Sequence, residues 1–101
     1  MNDLFGYGTP GMEKFKAFHV ANPNVYDRLV TLTRQLHDRG RVHYGIASLF
    51  EVVRWHMIIE TTDEDFKLNN NYKPFYARLI MKEYPEFEEF FFIRKSEADA
   101  L

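Results

Sequence analysis

The chain has 101 residues, 46% of them hydrophobic and 17% aromatic, no cysteine and a formal net charge of −2. That length supports one core and not two, and the missing cysteine excludes disulfides and thiolate metal sites, as suits a reducing cytosol. No apolar run approaches the ~18–20 residues that cross a bilayer, and MNDLFGYGTPGMEKF lacks the basic start and apolar core of a secretory signal, so the expectation is a cytoplasmic domain with no membrane partner.

Residues 1–11 carry three glycines and Thr9-Pro10-Gly11 and read as an irregular lead-in. A short helix is expected over Met12–Ala21 with Phe15 and Phe18 inward, stopped by Asn22-Pro23. Asn22 can cap the next helix, with Pro23 in its first turn, where no N–H is needed. Val25, Leu29, Leu32 and Leu36 then recur at helical spacing, and Gly40 offers a left-handed stop after Arg39.

From Ile46 to Ile59 the chain is nearly apolar all round. Ile46, Leu49, Phe50, Val53 and Met57 form one stripe and Val52, Trp55 and Ile59 a second, which predicts a central helix packed on two sides. The β-branched content keeps a strand open for Val52–Ile59. Thr61–Asp65 is a polar break and Asn69–Asn71 a cap-rich loop. Lys73-Pro74 opens a helix to about Tyr84, with Phe75 and Leu79 inward, accompanied by Tyr76 and Ile80. Pro85 ends it and begins a last short helix, Glu86–Ile93, burying Phe87, Phe90 and Phe91, and SEADAL reads as a frayed tail. The expected fold is all-α: one compact domain of four to five helices over 12–94, a helix-turn-helix-like hairpin around a central apolar helix, and a flexible tail at 95–101.

Charge is unevenly spread. Residues 24–45 set Arg28, Arg34, Arg39 and Arg41 against Asp27 and Asp38, whereas residues 83–101 set six acids against Arg94 and Lys95. The basic middle points to a contact surface. If Gly40 lies in the turn of a helix-turn-helix, Arg41, His43, Tyr44 and Ser48 fall near base edges or phosphates, with Arg28 and Arg34 on the backbone. IASLFEVVRWHM also resembles the I-A-x-L-F-x-V-S-R-x-T-V pattern of recombinase and repressor helix-turn-helix proteins at Ile46, Ala47, Leu49, Phe50, Val52 and Arg54. It departs where Glu51 replaces the turn glycine and Val53 the Ser or Thr. Left-handed backbone at Glu51 would cost on the order of 1 kcal/mol, so an unbroken helix is preferred.

Arg54-Trp55 can hold a phosphate, a base face or a carboxylate, or Arg54 can pair with Glu51 while Trp55 packs inside. In FKLNNNYKPFYAR, Lys67, Tyr72, Lys73, Tyr76 and Arg78 surround Asn69, Asn70 and Asn71 with cations and phenols, a composition suited to nucleic-acid backbone or a polar protein interface. Glu83–Phe92 alternates acids with phenylalanines, either to pin the aromatics inside or to offer a docking face to a basic partner. Catalytic patterns are thin. Asp65-x-Lys67 with Glu60 or Asp63 resembles half of a metal-dependent nuclease site without its strand context, and His56 with Glu60 gives two metal-ligand types but no third. No phosphate-cradling glycine loop or nucleophile–base pair stands out, so no enzyme, metal or cofactor is expected.

With FEVVRW, FKLNNNYKPFYARLIM and FFFIR in view, the chain resembles small uncharacterised proteins of tailed bacteriophages and prophages over roughly Phe15–Arg94. The resemblance implies a bacterial cytoplasmic setting and a phage accessory role, regulatory or directed at host machinery, and carries no catalytic residues. The expected function is non-enzymatic DNA binding through Arg39, Arg41, His43 and Tyr44, helped by Arg54, Lys67, Lys73 and Arg78. The alternative is a protein-interaction module or an inhibitor of a host factor. A homodimer presenting two basic turns is compatible with either.

Overall fold

Proline and glycine set the boundaries of the helices. A computed structural model of the chain describes residues 9–101, so most of the expected lead-in lies outside the described residues. Thr9 caps α1 (Pro10–Ala21) by accepting from the Met12 N–H at 3.2 Å, and Pro10 takes the first helical position. Pro10 and Gly11 therefore belong to the helix rather than the lead-in. Asn22 acts differently from expectation: its side chain and its backbone N–H both donate to Phe18 O, closing α1, and it makes no side-chain cap on the following helix.

α2 (Pro23–Asp38) ends at Gly40, whose φ of +89° is the left-handed conformation that a glycine adopts without a Cβ penalty. Gly40 N–H reaches His37 O at 3.0 Å and Arg41 N–H reaches Leu36 O at 3.0 Å, the two bonds of a Schellman motif. α3 (Ile46–Glu60) is unbroken through Glu51 and Val53, so neither the internal helix-turn-helix register nor the strand alternative for Val52–Ile59 is adopted. A 3-10 turn at Asn70–Tyr72 leads into α4 (Lys73–Glu83).

The fold is all-α, and among the described residues four helices surround one aromatic core. Phe15 stacks on Phe75 at 5.0 Å between centroids and meets Tyr76 edge-on at 4.8 Å. Val25, Leu29, Leu49, Phe50, Val53 and Ile80 close the centre, all buried. Leu32 and Leu36 are half-buried and border a groove.

Three expectations about packing change. Val52, Trp55 and Ile59 are exposed, so α3 packs on one side and carries an uncovered apolar stripe on another. α2 and α4 both pack on α3. The expected helix Glu86–Ile93 is a single 3-10 turn, Pro85–Phe87, followed by irregular chain. Phe90 and Phe91 are nonetheless both buried as expected, and Tyr44 N–H donates to Phe90 O at 3.0 Å, beside an isolated bridge between Tyr44 and Phe91. Finally, the tail is docked. Glu97–Ala100 forms a 3-10 turn in which Ser96 accepts from Ala98 N–H and Asp99 from Ser96 N–H, a capping box that holds Ala98 in the core.

Candidate functional site

α3 divides the candidate residues between two flanks. Arg54 and Ala47 lie on one side of its axis, and Ser48, Val52 and Ile59 roughly 140° away at about 100° per residue. The Asn run sits with the first group, since Arg54 donates to Asn70 Oδ1 at 2.6 Å and to Leu68 O at 2.7 Å. The Arg39–Tyr44 turn sits with the second, where Arg39 and Arg41 border a groove of about 560 Å³ floored by Leu32, Leu36, Leu49 and Val52. The turn and the Asn run therefore do not share a face.

Arg39 and Arg41 are exposed and form no ion pair among the described residues. The other side of the turn faces a cleft of about 380 Å³ whose wall carries Glu86, Glu88 and Glu89. His43 Nδ1 lies 2.8 Å from Glu89 O and its ring 5.3 Å from Phe92, and Tyr44 is half-buried against the core. Arg28 and Arg34 pair with Glu60 and Glu86 respectively. Arg34 also stacks over the Phe87 ring at 4.8 Å, and beside it the Glu86 carboxyl is held below the usual range by its own backbone N–H and by that guanidinium. The basic turn is thus flanked by carboxylates that any polyanion would also meet.

Arg54 is engaged within the chain, as the Glu51 pairing anticipated, and it additionally clamps the Asn run. The hydrogen bond from Arg54 holds the Glu51 carboxyl below its ordinary range. Asn69 accepts from Asn71 N–H at 2.8 Å, so the first asparagine of the run shapes the turn that leads into α4. Lys67 is exposed. Arg78 is nearly buried, donating to Asp99 Oδ1 at 2.6 Å, to Pro74 O at 3.1 Å and to Arg94 O.

Lys73 lies elsewhere from the turn. It lines a cleft of about 550 Å³ bounded by Ile46, Ala47 and the segment Phe92–Ser96. Arg94 and Lys95 line the same cleft, and none of these three cations forms an ion pair among the described residues. The first turn of α3 borders it, and its cap residue, Gly45, supplies no side-chain acceptor to the leading N–H groups. Phe92, 69% exposed, flanks the opening. Arg94 and Lys95 escaped the sequence reading because they sit in an acidic stretch assigned to a helix and a loose tail. Only the docking of that segment beside α4 brings them to Lys73.

Among the described residues, no three His, Asp or Glu side chains converge as metal ligands, and no helix is long and apolar enough to cross a membrane. Compared with protein-family models, curated proteins and solved structures, the chain matches none.

Proposed function

We propose that the protein is a non-enzymatic DNA-binding protein whose phosphate contacts lie in the cleft between the start of α3 and residues 92–96. The observation that carries this reading is the convergence of Lys73, Arg94 and Lys95, unpaired among the described residues, on one opening. Positive charge and free helix N–H groups on one surface suit phosphate oxygens, and Phe92 offers a flat face at its edge. Arg39 and Arg41 form a separate basic edge on the opposite flank of α3, weakened by the carboxylates behind it. The bacterial, phage-accessory setting belongs to this reading on the resemblance alone.

Fluorescence anisotropy with labelled duplex DNA at several salt concentrations tests it. Three phosphate contacts predict a slope of log K against log salt near about −3. Lys73→Glu with Arg94→Glu should abolish binding, while Arg39→Glu with Arg41→Glu should reduce it less. Absence of binding at low salt, or loss through the turn variant alone, would refute the cleft.

Protein-directed binding, including inhibition of a host factor, is the second reading, favoured by the exposed apolar flank of α3. A stoichiometric protein retained from nuclease-treated lysate by the wild type and also by the cleft variant would favour it over DNA.

A further inference from the structure

We infer that the α2/α3 face is a self-association surface on which a second copy of this chain packs antiparallel about a two-fold axis. Ser48, Val52, Trp55 and Ile59 fall at i, i+4, i+7 and i+11 of α3, the spacing of a helix–helix seam. Trp55 is 66% exposed, Ile59 62% and Ile58 57%. With Val52, these side chains expose on the order of 400 Å² of apolar surface, about half of the ~800 Å² that each partner contributes to a stable interface. The adjoining groove supplies more, and its floor of Leu32, Leu36 and Leu49 can take an indole.

The distribution of charge along this face selects the occupant. α2 and α3 run antiparallel, since Arg28 near the start of α2 pairs with Glu60 at the end of α3 while Arg39 borders Ser48 and Val52. One end of the face therefore carries Arg39 and Arg41. At the other end of α3, Asp63 and Glu64 border Ile58, on the Arg54 side of the exposed stripe. None of the four forms an acid–base ion pair among the described residues. A two-fold axis perpendicular to α3 near Val52 lays each Trp55 over the other copy's groove. Because such an axis exchanges both the ends and the flanks of α3, it brings the Arg41 end of each copy to the Glu64 end of the other. The surface is thus complementary to itself, both in its apolar stripe and in its two charged ends, which is what an isologous interface requires.

Trp55 is the sole tryptophan, so its emission reports this face directly. Across a dilution series, emission should shift to shorter wavelength as concentration rises, in step with a doubling of mass in sedimentation. Trp55→Lys should sediment as one copy at every concentration with an unchanged far-UV circular dichroism spectrum. Arg41→Glu should weaken the dimer about tenfold by setting two like-charge pairs against each other, and Arg41→Glu combined with Glu64→Arg should restore it. A single-copy mass up to about 1 mM would overturn the inference. So would a dimer unaffected by Trp55→Lys and by the charge reversal.

Discussion

Arg78 separates a structural cation from a binding one. Its side chain is 10% exposed, and its guanidinium bridges three parts of the chain: Asp99 in the C-terminal turn, Pro74 O at the start of its own helix and Arg94 O. Arg78→Ala removes these bonds together with the packing of the alkyl stem. A hydrogen bond to a charged group contributes about 1.5–3 kcal/mol. Asp99, 45% exposed, and the Arg94 carbonyl can recover water once the C-terminal turn lifts, so the three losses do not add. The expected cost is about 2–3 kcal/mol, which for a domain of this size lowers the melting temperature by roughly 10–20 °C. Arg78→Lys should recover little, because one ammonium cannot span acceptors in three directions. Urea unfolding followed by circular dichroism gives the magnitude, and hydrogen exchange at residues 96–101 gives the location. Stability within about 0.5 kcal/mol of wild type, together with lost DNA affinity, would refute the structural role and return Arg78 to the binding surface.

Tyr76 OH is buried with no hydrogen-bond partner among the described residues, and burial pushes its pKa upward, so Tyr76→Phe should stabilise the protein by about 1 kcal/mol in the same urea assay; a loss of that size would show that the hydroxyl is bonded to water. Acid should undock the C-terminal turn. Asp99 is held below its ordinary pKa by the Ser96 N–H and Arg78, and Glu86 by its own backbone N–H and Arg34. Their contribution is therefore complete above the unfolded values near about 4 and is lost as pH falls through the lower folded values. An acid limb of stability as steep in Glu86→Gln/Asp99→Asn as in wild type would exclude these two groups as its cause.

Local chemistry was the most legible part of the sequence. Pro23 and Pro74 sit in the first turns of their helices as expected, and Gly40 adopts the positive φ that its position after Arg39 required. Glu51 in place of a turn glycine correctly forecast a continuous α3. Helical spacing found Val25, Leu29, Leu49, Phe50 and Val53, because those positions recur on one side of a helix wherever its neighbours lie. The failures are nonlocal. Phe90 and Phe91 are buried on irregular chain rather than on a helix, and the carbonyl of Phe90 is taken by Tyr44, far away in sequence. The tail looked frayed because its anchors, Arg78 and the space around Ala98, lie on other elements. Arg94 and Lys95 became site residues only through that same docking.

The two stripes of α3 mark the limit of hydrophobic patterning. An apolar side chain registers the advantage of leaving water but not the source of its cover. Leu49, Phe50 and Val53 find theirs within the chain, whereas Val52, Trp55 and Ile59 repeat at the same helical spacing and remain exposed. Charge adds the missing distinction. Arg28 and Glu60 bind each other across the hairpin and so belong to the fold. Among the described residues Arg39, Arg41, Asp63 and Glu64 form no pair across the stripe, and the two signs lie toward opposite ends of α3. A partner of uniform charge would satisfy one end and oppose the other, whereas an antiparallel second copy satisfies both. The same α3 turns its uncapped start toward the basic cleft on its other flank, which leaves that cleft open when two copies pack through the stripe.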